Sequence, residues 1–400
     1  MRTLVAALCL LAFAADVFAQ AERAGPPQNV QMRIGPLYVN PTIALTNAGV
    51  DTNVFNESTG SKRDFTVTVT PATDLWLRVG PTWLQARIRE DLVWFEKYAS
   101  ERSANNAYSV TWDIPLNRLR LIPTFGHVNT RQRPGFEIDT RAQRTELNYG
   151  GTIEVAALSK LFFSATANQV TTEFDGAAEF LGINLRDELN RKITTGQFSV
   201  RDQLTPLTSI AAGVTIEQDR FDFDHLRDSD SRGIDFSVRF DPAALLKGSA
   251  SFGYRDFKPL NATLPAYRGS TAAVDLSYVL LGVTKLGVTA TRNVQYSYDI
   301  NQPYYVLTGA TVAVTQQIFG PVDVIARGGL QRLEYRDRAG AAVAISDRVD
   351  HIQTFGGGIG YHLGRDTRIG FNIDQSRRLS GITVRQFNGL SYGFAVTYGS

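Results

Sequence analysis

Cysteine is almost absent: the single one is Cys9, near the start of a 400-residue chain. The residue before it, Leu8, is too large for a lipoprotein cleavage site, so lipid attachment there is excluded. Histidine numbers only four, which leaves few options for a catalytic base or a metal ligand. No sign of charge dominates, with 41 Lys and Arg against 39 Asp and Glu and no basic run, so nothing points to nucleic acid. Long apolar runs are missing too. After the first twenty or so residues no stretch reaches the roughly 18 apolar residues of a membrane-crossing helix. A chain that crosses lipid without helices must do so as a closed barrel, because lipid cannot satisfy an open sheet edge.

The N-terminus reads as an address. Arg2 is its charged start, Leu4 to Ala14 its apolar run, and Val17-Phe18-Ala19 its small-residue cleavage positions, so residues 1–19 are expected to be a signal peptide cut after Ala19. Asp16 is unusual beside such a site. Cys9 falls inside this segment, and the mature chain would then carry no disulfide. Residues 20–40 are polar, with Gly25-Pro26-Pro27, and read as a short periplasmic lead. Residues 41–400 read as one barrel with no separate plug domain. Length alone would also allow two or three soluble domains, but at roughly 20 residues per strand and its connections one large barrel fits equally well.

What the chain does have is a repeated unit. Leu204 to Phe221 shows it best: a short turn with Pro206, then a strand with Ile210, Ala212, Val214 and Ile216 on one parity. Ser209, Ala211, Gly213, Thr215 and Glu217 hold the other. Successive strand side chains point to opposite faces, so this strand has one apolar face and one small, polar face. A charged loop follows at once. In Trp83 to Lys97, Leu84, Ala86, Ile88, Leu92 and Trp94 oppose Gln85, Arg87, Arg89 and Asp91. Glu90 interrupts the apolar row, and a β-bulge nearby or a shifted register would account for it. Ile234, Phe236 and Val238 alternate with Asp235, Ser237 and Arg239, and Leu390, Tyr392, Phe394, Val396 and Tyr398 alternate with Ser391, Gly393, Ala395 and Thr397. Turns such as Gly80-Pro81 and Gly320-Pro321 alternate with longer polar loops, among them Arg131–Arg144, Asp175–Glu188 and Arg336–Val349. A soluble periplasmic all-β protein would alternate as well. The regular inequality of the connections argues instead for an all-β, transmembrane, antiparallel up-and-down outer-membrane barrel of about 18 strands, with 16 as the alternative count. The first strand is expected from about Pro41 to Phe55, and both termini on the periplasmic side.

Several stretches carry a family resemblance. They are Gly35-Pro36-Leu37-Tyr38-Val39-Asn40-Pro41, Asp51-Thr52-Asn53-Val54-Phe55, Leu189-Asn190-Arg191, Leu204 to Thr208 through Asp219-Arg220-Phe221, Phe240 to Gly248, and Arg292-Asn293-Val294. In these the chain resembles the putative β-barrel porin type 2 family of Gram-negative outer membranes, over nearly the whole mature length. The shared motifs are turns, strand ends and inward residues. They imply a porin-like barrel and no catalytic residue; some relatives are associated with exopolysaccharide export. The C-terminus departs from the usual barrel pattern, ending Tyr398-Gly399-Ser400 rather than on an aromatic.

No residue pattern suggests an enzyme. Asp350-His351 and Asp224-His225 are neighbours in sequence, so on a strand each pair splits to opposite faces. His127 has no hydrolase partners nearby, and neither metal spacing nor a phosphate loop is present, so no cofactor is expected. The inward parity supplies pore-lining candidates: Arg87, Arg89, Asp91, Glu146, Glu154, Arg201, Asp235, Arg239, Arg255, Asp275, Arg327, Arg368 and Asp374. They would form an electrostatic lining that sorts solutes, or pair across strands and hold the wall. Their signs nearly balance, so no ion preference follows. The expected role is passive diffusion of small hydrophilic solutes through the outer membrane, with an accessory part in exopolysaccharide export as the alternative. The expected partners are outer-membrane lipid, the barrel assembly machinery during biogenesis and, in the alternative, polysaccharide export components. The loops Arg131–Arg144 and Asp175–Glu188 are long enough to fold inward and narrow the lumen.

Overall fold

The computed structural model describes residues 25–27, 30–242 and 244–399. The proposed signal peptide lies outside the described residues. One antiparallel sheet holds nineteen strands, of which Met32–Ile34 is a three-residue extra, leaving eighteen long ones that close into a barrel. In chain order they are β1 (Leu37–Asp51), β2 (Asp64–Val79), β3 (Thr82–Phe95), β4 (Ser103–Leu116), β5 (Leu119–Thr130) and β6 (Arg144–Ala156). Next come β7 (Leu161–Phe174), β8 (Arg191–Thr205), β9 (Thr208–Phe221), β10 (Ser229–Phe240), β11 (Leu246–Pro259) and β12 (Tyr267–Leu280). The last six are β13 (Thr284–Tyr296), β14 (Tyr304–Phe319), β15 (Val322–Arg336), β16 (Val349–Leu363), β17 (Thr367–Leu379) and β18 (Phe387–Tyr398). Each pairs with the next, and β1 closes the barrel on β18 with Ile43 opposite Tyr398. A single short α-helix among the described residues, α1 (Leu185–Leu189), sits in the β7–β8 connection.

The connections fall into two classes by end. Those on the side of the termini span two to five residues, and those at the opposite end span seven to sixteen. The tight turns Gly80-Pro81 and Gly320-Pro321 put glycine at φ +60 and +53, a left-handed conformation in which a Cβ would be strained. Such positive-φ two-residue turns match the twist of the strands they join.

The outer face is the apolar parity. Phe236 and Phe252, paired across β10 and β11, are 64% and 62% exposed, and Ile234, Ile359 and Phe394 are exposed as well. Leaving a large apolar side chain in water forgoes about 1.5–3 kcal/mol of burial. A surface built from such rows all round the barrel is stable against lipid, not against water.

Three local features depart from the sequence reading. β1 begins at Leu37, inside the segment read as the lead, and Met32–Ile34 folds back to pair with Leu37–Val39. It ends at Asp51, so Phe55 belongs to the loop. The register shifts within β1, between Thr46 and Gly49 where Asn47 takes φ 53, and at the β8–β9 and β14–β15 turns, and not beside Glu90. Pairing with β4 runs unbroken through Glu90, and the β2 ladder, which skips Glu90 and Asp91 opposite Thr70 and Pro71, resumes in the same register. Glu90 stays on the outer face and accepts a hydrogen bond from the Tyr108 hydroxyl of the adjacent strand. A neighbouring phenol therefore satisfies the carboxylate, with no bulge involved.

The third feature is a seam. β12 and β13 pair only from Ala272 opposite Arg292 down to Leu280 opposite Thr284, although β12 begins five residues earlier at Tyr267. β13 and β14 meanwhile stay paired up to Tyr296 opposite Tyr304. The upper part of the β13–β14 hairpin therefore leaves the wall and leans into the barrel. Its outer-parity residues Val294, Tyr304 and Val306 are buried, Val306 completely, against the inward Phe257 and Tyr267. Side chains take up edge groups where pairing stops. The Tyr267 hydroxyl donates to the Ser270 carbonyl at 2.9 Å, and the Asn293 amide oxygen accepts from the Val294 N–H at 2.9 Å.

Candidate channel and its closed mouth

The inward face carries charges arranged in pairs. Arg87 reaches Asp74 at 2.7 Å, and Arg89 reaches Asp91 at 2.9 Å, where Asp91 also accepts from Thr70 at 2.6 Å. Glu154 accepts from Arg201 at 2.9 Å and lies 3.8 Å from Arg120, which itself holds Asp113. Arg255 pairs with Glu217 and donates to Ser231 and to Asn293. Arg327 donates to Asp374 at 2.6 Å. Arg368 grips Asp323 with Nε at 2.7 Å and Nη2 at 2.6 Å, and His362 joins the same carboxylate at 2.7 Å. Glu146 accepts from Arg144 at 2.7 Å, and Asp235 from Gln197 at 3.3 Å. Asp275 is exposed, and Arg239 follows the same parity near the short-turn end. All thirteen candidate positions thus share the face opposite the exposed apolar rows. The structure adds Asp74, Asp113, Arg120, Glu217, Asp323 and His362 to that set. Their parity was readable, but a partner two or more strands away, such as Asp374 for Arg327, needs the tertiary register.

The candidate histidine pairs do not form dyads. Asp350 is held by Arg348 at 3.0 Å, while His351 lies on the outer parity and is exposed. His225 sits 3.6 Å from Asp228, whereas Asp224 is taken by Arg227. Among the described residues no group of three His, Cys, Asp or Glu side chains could hold a metal ion.

At the long-loop end the mouth is spanned. The β5–β6 connection, residues 131–143, starts eight strands from the β13–β14 loop of an eighteen-strand barrel, so the two lie nearly opposite. They nonetheless touch. Ser297 Oγ donates to Glu137 at 2.7 Å, and the Tyr298 N–H donates to it at 3.2 Å. Phe136 packs on an inward cluster of Tyr305, Leu307, Leu333, Tyr335 and Ile352. Asp139 reaches Arg378 at 2.6 Å and Arg385 at 3.0 Å on the β17–β18 side. Arg133 and Arg141 both donate to the Val54 carbonyl, at 2.7 and 3.0 Å.

The β7–β8 connection completes the cover. Its Ala178, Phe180, Leu185 and Leu189 pack with Ile138 and Tyr298. Arg227, from the β9–β10 loop, is buried and ties Glu188 at 2.7 Å, Asp224 at 2.7 Å and the Ser297 carbonyl at 2.6 Å together. Burial has electrostatic consequences here. It pushes the Glu137 carboxyl up, against the pull of Ser297 and of nearby Arg385 and Arg348. It brings the Arg133 guanidinium down to about 10, with Arg141 adding to the shift.

No curated protein sequence matches this chain significantly. Among solved structures, a BenF-like porin from Pseudomonas fluorescens Pf-5 superposes with a TM-score of 0.50 at 10% identity, over 91% of this chain and 98% of that one. OccK2 (OpdF) of Pseudomonas aeruginosa, in complex with glucuronate, gives 0.48 at 9% identity over 90% and 97%. The first likeness shows a shared porin-like barrel fold. A family model described as "Putative beta-barrel porin 2" matches residues 26–398, nearly the whole described chain, and the protein belongs to that family of porin-like outer-membrane barrels.

Proposed function

We propose that the protein resides in the outer membrane with its long loops outside and acts as a channel for passive diffusion of small hydrophilic solutes. The observation that carries this reading is the inner wall. Strand after strand turns Ser, Thr, Gly, Asp and Arg inward, residues too small or too polar to pack a dry core. Arg87 remains half exposed on that wall even while paired with Asp74. Barrels of 16 to 18 strands are wide enough to hold water. The interlocked loops narrow the external mouth of the path. The inward ion pairs support a lumen of mixed charge in which neither sign is excluded. Purified mature protein in a planar bilayer should give discrete single-channel conductance steps, and liposomes carrying it should swell in small sugars. Correctly folded, inserted protein that never conducts under any loop variant would overturn the reading.

A further inference from the structure

Two arginines under the loop cover are only half used. Arg378, on the inward face at the long-loop end of β17, and Arg385, in the β17–β18 connection, are 1% and 3% exposed. Both direct Nη1 at the same oxygen, Oδ2 of Asp139, at 2.6 and 3.0 Å. The other carboxylate oxygen, Oδ1, accepts from Asn56 at 3.0 Å. Arg385 Nη2 donates to the Glu137 carbonyl. Arg378 Nε and Nη2 and Arg385 Nε have no partner although they are buried. Aromatic rings back both groups: Phe387 lies 5.5 Å from the Arg378 guanidinium and Phe180 lies 4.7 Å from that of Arg385.

A guanidinium presents its donors as a planar fork, and the fork that best matches a carboxylate takes both of its oxygens. The Nε–Nη2 edge of Arg378 is such a fork, and it is empty of protein partners. Asp139 is tethered in a loop whose Arg133 Nε donates to the Asp139 carbonyl at 2.7 Å and whose Glu137 is pinned at Ser297. It meets each arginine end-on with one oxygen. A free carboxylate is not so restrained.

We propose that Arg378 and Arg385 form a carboxylate-recognition site at the channel mouth, and that Asp139 occupies it as a built-in stand-in for a small carboxylate-bearing solute. An incoming carboxylate exchanges with Asp139, pairs with the unpartnered edge of Arg378, and releases the 131–143 loop from β17 and the β17–β18 connection. The consequence for transport rests on the channel reading above, whereas the binding itself does not.

The test separates the two. Succinate is titrated calorimetrically into the folded full-length barrel in detergent at constant ionic strength, with chloride as the control anion. Asp139→Asn should bind succinate at least roughly tenfold more tightly than the unaltered chain, because the competing charge is gone. Adding Arg378→Gln and Arg385→Gln to that variant should abolish binding. Heat-modifiable electrophoretic mobility checks the fold, and Arg378→Lys, which keeps the charge but not the fork, replaces the double change should it fail to fold. Equal affinity with and without Asp139, or binding indifferent to both arginines, would overturn the site. In bilayers, succinate should raise the open fraction of the unaltered chain, and Asp139→Asn should be open without it. Binding as described with no conductance in any variant would sink the channel reading and leave the site standing. Conductance without binding would do the reverse.

Discussion

At the residue scale the barrel is a matter of parity, and a pair of neighbours tests it. Val214 on β9 is 52% exposed on the outer face, between Phe198 and Ile234 of the adjacent strands. Thr215 faces inward beside Gln197. An arginine facing mid-bilayer lipid costs about 2–4 kcal/mol, and one facing an aqueous lumen costs little. Val214→Arg should therefore lower the urea midpoint of the folded barrel and its yield in the membrane, and Thr215→Arg should leave both near the unaltered values. Equal damage would mean the interior of β9 is packed rather than wet. Parity was legible in the sequence because it is a local, two-residue rhythm that needs no knowledge of neighbouring strands. Glu90 shows where that rhythm stops informing. Its intrusion into the apolar row looks like a register fault, and only the strand pairing reveals Tyr108 in position to satisfy it.

At the scale of elements the sequence showed strands, turns and loop lengths but not the course of the β13–β14 hairpin. Val294, Tyr304 and Val306 follow the lipid-facing parity, and nothing local distinguishes them from residues that meet lipid. The hairpin leans inward because β12 stops pairing above Ala272, a tertiary event that turns an outer row into a packed core. Truncating Tyr304 to Ala should then leave a cavity and cost about 3–5 kcal/mol in a denaturant titration, far more than the loss of a lipid-facing side chain. The 131–143 loop carries a second, separable effect. Burial raises the Glu137 carboxyl above the value of a free glutamic acid, about 4.3. The closed loop thus binds this proton more tightly than the released loop does. Its stabilisation is complete below about pH 4.3 and is lost as pH rises through the higher, closed-state value. Channels should close in acid and open more often towards neutrality. Open probability measured from about pH 4 to about pH 8 should rise in the unaltered chain and stay flat in Glu137→Gln.

At the scale of the whole molecule, the two ends of the barrel differ in kind. One end has turns of two to five residues and both described chain ends; the other has every long connection, and those connections are knitted across the mouth. Long loops could be read from the sequence, and their inward reach was a reasonable expectation from length. Which residues meet could not be read. The contact of Glu137 with Ser297 spans 160 positions and that of Asp139 with Arg378 spans 239, and both exist only because closure of β1 on β18 brings the two halves of the chain face to face. The asymmetry also fixes a testable orientation. A barrel inserted with its termini inside exposes the β15–β16 loop to the medium and the β6–β7 turn to the periplasm. Cys9 is the chain's one cysteine and lies in the segment read as a cleaved signal, so a single introduced thiol reports its position without background. Ala342 in the loop and Leu158 in the turn are both exposed. Ala342→Cys should react with an impermeant maleimide on intact cells, and Leu158→Cys should react only after the outer membrane is opened. If Leu158→Cys labels first, the barrel stands the other way up, and the knitted mouth would guard exit to the periplasmic side rather than entry from outside.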